Sequence, residues 1–590
     1  MRASLYPAVL YFASIRRTLG NIASGYRGNN VDNSSARTGD RDGTDTAPSM
    51  PQGVHPPHMW SVVTTFAVFA LVALYPIWVV QIPGLGDYLN HLARMHVLSA
   101  FDRSEALRIV YRLHWQAIPY QAMDVAFVVL RHLAPIYDAG RIFVAICIVL
   151  PALSVAMLHF AVHRRLSLVP LATFLFVYNF LLSWGFLEYL PALCLAVMLF
   201  AGWIASNDLV ANGRWPRWLR TVLFGALSLM LYFAHLFAFG AYCLSVFVYE
   251  LVRAWRAGFN PWRGFALDWL AAATQALPAI LVALSVPLDR ADIGGTTMIF
   301  GDLSARFAAL KSPVWFYGGR ADILTGGIAL SVFVLGLLSG RLRLAASLWP
   351  VALAVGLVAA CIPSIALGAY NLDHYLPLLV VMLLISATST TARMGRLLGC
   401  AVLGGLLALT VLRSVGIARD LRAVDGQIAE IRKVVAEMPR GSRLLVVEND
   451  PGSDSGRAGP WQATYRAQMV AVIDRDAFVP FLTMYRAFTG LSTVRPAPEL
   501  VGSSMANGHP LHVSDLVHGL GRKDDPTNGE RGRQGRSEYW DGWENKFDYV
   551  LLQHFGAQTE ALPPNLQQVA SSSVANLYRI AKPANLGPPP

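Results

Sequence analysis

The chain is short of charge. Only 14% of its 590 residues are Asp, Glu, Lys or Arg, while 54% are hydrophobic. A soluble domain carries about 25% charged residues, so a wholly water-exposed globule is excluded. Cysteine is scarce too. Cys147, Cys194, Cys243, Cys361 and Cys400 each fall in or beside an apolar run, and none forms a CxxC pair. That excludes a disulfide framework and a CxxC-type zinc site. The chain has no GxxxxGK[ST] phosphate loop, no HExxH, no GxSxG and no GxGxxG opening a helix, which argues against cytosolic nucleotide chemistry. Asp450-Pro451-Gly452-Ser453-Asp454 looks like part of a calcium loop but lacks the Glu at the twelfth position.

What the chain has instead is apolar runs, and its mean hydropathy is +0.43. A bilayer crossing needs roughly 20 apolar residues. By that measure the fold class is a polytopic α-helical membrane protein with about 11 transmembrane helices. The spans are expected at 60–80, 140–161, 168–184, 188–206, 218–235, 236–253, 266–287, 323–340, 344–361, 375–390 and 397–416. The fifth and sixth share one run, divided only around Ala234-His235. Residues 1–58 read as a disordered cytoplasmic tail: the apolar stretch Leu5 to Ile15 is too short to cross, and no small-residue cleavage site follows it. Met59 directly precedes the first span and is an alternative start.

Net charge is +11, and the basic residues recur in alternate loops. Arg164 and Arg165 lie in the second; Arg214, Arg217 and Arg220 in the fourth; Arg253, Arg256 and Arg263 in the sixth; Arg341 and Arg343 in the eighth; Arg393 and Arg396 in the tenth. The positive-inside rule puts these loops in the cytoplasm of a multi-pass inner (plasma) membrane protein. The N-terminus is then cytoplasmic too. The long first loop 81–139 and everything after 416 face outward. This pattern is an orientation signal and does not suggest a nucleic-acid partner.

The C-terminal region 417–590 lacks membrane character. Leu421, Val424, Ile428, Ile431 and Val435 make a helical stripe over 418–438. Short apolar runs at 444–447, 547–552 and 575–580 suit buried strands. Residues 502–545, rich in Gly, Ser, Asn, Asp and Arg, read as a long mobile loop. The whole is expected to be a small extracytoplasmic α/β domain.

Under this topology the polar residues at membrane depth gather on the outer face. Asp87, His91 and Arg94 follow the first span. Glu188 sits in the turn between the third and fourth, His235 between the fifth and sixth, and Asp373 and His374 before the tenth. Ionisable residues at a membrane boundary mark functional sites. Asp87, His91 and Arg94 share one face if 88–101 is helical. Asp87 also stands where an N-cap belongs, which would explain it without chemistry. Snorkelling would explain Arg94 in the same way, and backbone groups in its own turn could satisfy Glu188. The charges at 102–112 read as a solvated face of two surface helices. Asp124 opens the second of them and remains a candidate. Mid-span charges, which coupled transport requires, are nearly missing.

Together, Gly86-Asp87 through His91-Leu92-Ala93-Arg94, the loop running to Asp124, Tyr232-Phe233-Ala234-His235, and Asp373-His374 resemble the GT-C class of integral-membrane glycosyltransferases. The resemblance covers about residues 60–590 in architecture. It implies that a sugar moves from a polyprenyl-phosphate carrier to an extracytoplasmic glycan, lipid or protein. Asp87 would be the general base, working as a desolvated carboxylate. Arg94, with His91 or His374, would hold the lipid phosphate. Membrane lipids would be partners, and an apolar groove would take the prenyl tail. Many members carry two neighbouring acids in this loop. Here Tyr88 follows Asp87, so no metal cofactor is expected. The competing readings are a transporter or flippase and a non-enzymatic envelope-assembly component.

Overall fold

The computed structural model describes residues 58–115, 118–285, 298–366, 369–449, 456–482, 493–505, 510–518, 539–555 and 561–582. The expected N-terminal tail lies outside the described residues. The helices used below are α1 (Met59–Trp78), α2 (Tyr88–Ala100), α3 (Ala122–Leu133), α4 (Ile136–His163), α5 (Tyr189–Ala211), α6 (Arg217–Ala234), α7 (Leu236–Arg256), α8 (Trp262–Thr274), α9 (Leu277–Ser285), α10 (Arg320–Leu338), α11 (Trp349–Cys361), α12 (Tyr375–Ala387) and α13 (Arg396–Val435).

Seven helices among the described residues are long and apolar enough to cross a membrane: α1, α4, α5, α7, the α8–α9 pair, α10 and α13. The other four expected spans differ in form. α6 has 18 residues but opens on Arg217 and Arg220. α11 and α12 have 13 residues each, about 20 Å of helix at 1.5 Å per residue, short of the hydrocarbon thickness. The run at 168–184 is not one helix. It is a 3₁₀ segment, Val169–Leu175, followed by the single turn Phe180–Ser183. Pro170 lies in the first turn of the first piece, and the Asn179 side chain caps the second by accepting from Leu182 N at 3.0 Å.

Irregular backbone at membrane depth is tolerated only where its polar groups find partners inside the protein. Here the partner is Arg413 of α13, buried at the edge of the bundle. It donates to the carbonyls of Leu175, Tyr178 and Val314 and pairs with Asp322 at 3.0 Å. The second carboxylate oxygen of Asp322 accepts from Phe316 N at 2.9 Å and Gly318 N at 3.1 Å. One guanidinium thus closes the hydrogen-bond account of three separate segments. Neither residue stood out in the sequence.

The basic loops meet at one end of the bundle. Arg164 pairs with Asp208, while Arg217 and Arg253 share Asp268. His163 contacts Ser386 O, Arg165 donates to Thr390 O, and Thr391 donates to Gly340 O. The other ends of α1, α4, α5 and α7 gather around Asp87.

α13 is 40 residues long and passes through the boundary expected at 416 without a break. Its second half buries Leu421, Val424, Ile428, Ile431 and Val435, the stripe read from the sequence. Asp425 on the same stretch accepts from Gln81 N and Ile82 N, both at 2.9 Å, and so ties down the exit of α1.

The C-terminal region adds β2 (Leu444–Glu448), β4 (Leu511–His512), β5 (Tyr549–Gln553), β6 (Leu566–Ser571) and β7 (Ala575–Ile580), with the sheet order β6-β7-β5-β2-β4. β2 lies parallel to both β4 and β5, and β7 is antiparallel to β5 and β6. The expectation of one long loop over 502–545 fails in part. β4, the short helix Val513–His518 and the turn Trp543–Lys546 are ordered there, while 506–509 and 519–538 lie outside the described residues.

The first loop is stitched to this region. β1 (Tyr111–Leu113) pairs antiparallel with β3 (Val494–Pro496). Asp476 gathers His96 Nε2 at 2.8 Å, Ser104 Oγ at 3.0 Å and Arg440 Nη1 at 2.9 Å. Burial alone would raise the pKa of Asp476, but these donors hold it below the usual carboxylate range. The covered face of α2 explains why it is not the surface helix expected: Leu89, Leu92, Ala93, Arg94 and Met95 are all buried.

Replacing Arg413 with Met would leave three carbonyls and one oxygen of the buried Asp322 carboxylate without that donor. A loss of about 3–5 kcal/mol is expected from breaking such a pair, read as a lower melting midpoint in detergent. Asp322→Asn in the same chain should cost less than the sum of the two single changes.

Candidate functional site

Two glycines build the Asp87 corner. Gly86 N donates to Ser183 O at 2.8 Å, and Asp87 N to Trp184 O at 2.9 Å. The two backbones run so close that a Cβ on Gly86 would sit 2.8 Å from Trp184 O. Gly185 has φ +77°, and a Cβ there would lie 2.7 Å from Asp87 N. Any side chain at these positions would push the 183–188 turn off the start of α2.

Asp87 occupies the N-cap position of α2, yet its side chain caps nothing. Its Oδ1 is buried and accepts no hydrogen bond, with Arg466 Nε 3.6 Å away. The side chain as a whole is 37% exposed, so the desolvation expected of this carboxylate is partial. Asp87 is half-buried, with one oxygen turned in against a guanidinium.

Arg94 is not free to hold a phosphate. It is 1% exposed and donates to Asp124 Oδ1 at 3.0 Å and to Glu188 Oε1. Burial works to lower its pKa, but the charges of Asp124 and Glu188 more than offset this and keep it raised. Snorkelling is ruled out because the side chain points inward. Glu188 is held by Arg94 rather than by its own turn alone. His91 Nδ1 approaches the same Glu188 oxygen at 3.9 Å. Arg94, Asp124 and Glu188 therefore form a buried triad joining α2, α3 and the start of α5.

His235 is packed among aromatic rings. Tyr120 meets it edge-on at 4.5 Å and Tyr189 at 5.0 Å. Its Nδ1 accepts from Phe237 N at 3.3 Å, capping α7 just where α6 ends. That cap explains the division of one apolar run into two helices. Tyr375 lies on Tyr189 at 4.4 Å and within electrostatic reach of both Asp87 and Glu188. Asp373 accepts from Ser364 Oγ at 2.6 Å. His374 stacks on Phe180 at 3.9 Å, with Nε2 3.9 Å from Asp373 Oδ1. Burial lowers the His374 pKa, with Asp373 opposing, so this imidazole is a poor phosphate counter-ion at neutral pH.

The sequence residues thus fall into three linked groups. Asp87 sits alone against Arg466. His91, Arg94, Asp124 and Glu188 form the ion cluster. His235, Asp373 and His374 belong to an aromatic wall that reaches Asp87 through Phe180 and Trp184. Among the described residues, no three His, Cys, Asp or Glu side chains cluster to hold a metal ion.

Residues from the C-terminal region, missed in the sequence, complete the corner. Arg466 lies over the Tyr465 ring at 4.1 Å. Trp461 meets Tyr465 at 5.1 Å and Trp184 at 5.4 Å. The Tyr465 pKa is raised, first by burial and then by Asp87 and Glu448, against the lowering effect of Arg466. The segment Trp461-Gln462-Ala463-Thr464-Tyr465-Arg466 was the available signal: an aromatic–basic run in a region read for a helix, strands and a loop.

No family model matches this chain, and no curated protein matches it. Among solved structures it is similar to the arabinofuranosyltransferase AftD from Mycobacteria, at 15% identity and a TM-score of 0.44. The match covers 90% of this chain and 40% of that one, so this chain spans well under two thirds of its neighbour's length.

Arg94→Met would strand two buried carboxylates. It should lower the melting midpoint by the equivalent of about 3–5 kcal/mol. Adding Asp124→Asn should recover part of that loss by removing one uncompensated charge. If the double variant proves the less stable of the two, the triad has been misread.

Proposed function

We propose that the chain is a membrane glycosyltransferase, moving a sugar from a polyprenyl-phosphate carrier to an extracytoplasmic acceptor. One observation carries the reading. Asp87 holds an N-cap position without capping, keeps a carboxylate oxygen without a hydrogen bond, and faces a buried guanidinium at 3.6 Å. A carboxylate that only terminated a helix would be spent on the N–H groups of its first turn.

The chemistry divides between two residues. Asp87 accepts the proton of the acceptor hydroxyl as that oxygen bonds to the anomeric carbon. The bond from that carbon to the phosphate oxygen breaks, and its electron pair leaves with the polyprenyl phosphate. A phosphate is a good leaving group and needs no acid. Arg466 takes the phosphate role first given to Arg94, because a guanidinium forks onto phosphate oxygens. Drawing Arg466 toward the phosphate releases Asp87 Oδ1 for the acceptor. His91 and Tyr375 line the same corner, and the aromatic wall around Trp461 offers ring faces to a sugar.

The test uses full-length protein with a panel of labelled polyprenyl-phosphate sugars, an arabinofuranosyl donor among them. Asp87→Asn should insert and melt like the parent while transfer falls by about 10²–10⁴, the usual contribution of a general base. Arg466→Gln should mainly raise the KM for donor. Full-rate transfer by the Asn variant would end the base assignment.

A further inference from the structure

α4, α5 and α7 all start at the Asp87 corner and end together at the arginine-rich face. They have 28, 23 and 21 residues, so the two ends lie about 30–40 Å apart at 1.5 Å per residue, roughly one bilayer. At the far end these helices, with the segment before α11, line a half-open cavity of about 330 Å³, walled by Arg164, Asn207, Asp208, Tyr249, Arg253 and Ser347. Nothing in the proposed transfer reaction uses it.

Its wall and floor are dense in charge. Glu250, fully buried beneath the cavity, accepts from Trp203 Nε1 at 2.8 Å and pairs with Arg253 at 2.6 Å and Arg220 at 3.6 Å. Asp268 takes Arg253 at 2.5 Å and Arg217 at 3.3 Å, and Asp208 takes Arg164 at 2.6 Å. Four arginines (164, 217, 220 and 253) face three carboxylates (208, 250 and 268), leaving a surplus of one positive charge. Arg220 and Glu250 are sealed off, whereas Arg164 and Arg253 keep 46% and 31% of their side chains exposed. Asp208 is 63% exposed, so the accessible charge at the cavity wall is Arg164 and Arg253 against the Asp208 carboxylate.

The surroundings fix the depth. Trp218, Trp255 and Trp262 at this end are each about two-thirds exposed. Exposed tryptophans beside helix ends mark the headgroup level of a membrane. A polar cavity at that level, whose wall carries two arginines and one carboxylate, suits a phosphodiester, which carries one negative charge. Basic pockets between helices on the basic side of a membrane protein bind anionic headgroups.

The geometry points to a binding site for the phosphate headgroup of an anionic phospholipid in this cavity, held by Arg164 with Arg253 beside it and with hydrogen bonds from Asn207, Tyr249 or Ser347. The site would anchor the end of the bundle remote from Asp87, and it does not depend on the transfer reaction.

The test takes delipidated full-length protein and titrates it with phosphatidylglycerol, phosphatidylcholine or inorganic phosphate. Binding is followed by melting midpoint and by native mass spectrometry. Phosphatidylglycerol alone should raise the midpoint and remain bound. Arg164→Gln, which removes one charge-assisted donor, and Ala211→Trp, which fills the cavity from the end of α5, should each weaken that binding about tenfold. Neither change touches Glu250 or Asp268. An equal gain from phosphatidylcholine, or unchanged affinity in both variants, would overturn the site. An equal gain from inorganic phosphate would overturn the lipid assignment and leave a free-anion site.

Discussion

Everything around Asp87 depends on the buried Arg94 guanidinium. It joins Asp124 of α3 and Glu188 at the head of α5 to α2, three elements far apart in sequence. A charge at 1% exposure is costly to bury, and removing either kind of partner leaves the other uncompensated. The triad is therefore a constraint more than a source of stability. It fixes how α2 enters the corner and thus where Asp87 stands. The glycines at 86 and 185 then let the 183–188 turn close on it. Arg94 was read from the sequence as a ligand for substrate; the structure makes it the element that positions the corner.

A second constraint runs through the bundle. Backbone polar groups at membrane depth must be satisfied from within. Regular helices meet this requirement themselves. The broken segment 169–183 cannot, and Arg413 meets it from α13. α13 then continues past the membrane and carries the C-terminal sheet with it. The helix that repairs the break also leads to the segment carrying Trp461, Tyr465 and Arg466, which completes the corner. Bundle and C-terminal region are coupled through one continuous element, supported by the Asp425 contacts and the Asp476 clamp.

The legible parts of the sequence were those governed by periodicity and composition. The division at Ala234-His235, the stripe on α13 and the strand at 575–580 all follow from patterns of apolar residues. The break at 169–183 was hidden because an apolar run does not reveal whether it is helical; Pro170 and Asn179 were the local clues. The candidate residues could be picked out from the sequence, but their pairings could not. Asp87, His91, Arg94, Asp124 and Glu188 were all singled out. Which charge meets which depends on side-chain direction across 30 to 94 residues of separation. Arg466, 379 positions beyond Asp87, carried no local pattern to connect the two.

The central claim is that Arg466 holds the donor phosphate while Asp87, 3.6 Å from that guanidinium, faces the anomeric carbon. The most direct measurement is a structure of the full chain in lipid nanodiscs with a non-cleavable polyprenyl-phosphonate sugar bound. The account predicts phosphonate density against Arg466 and the anomeric carbon facing Asp87 Oδ1, with Arg94 still paired to Asp124 and Glu188. Phosphonate held by Arg94, or density remote from the Asp87 corner, would contradict it.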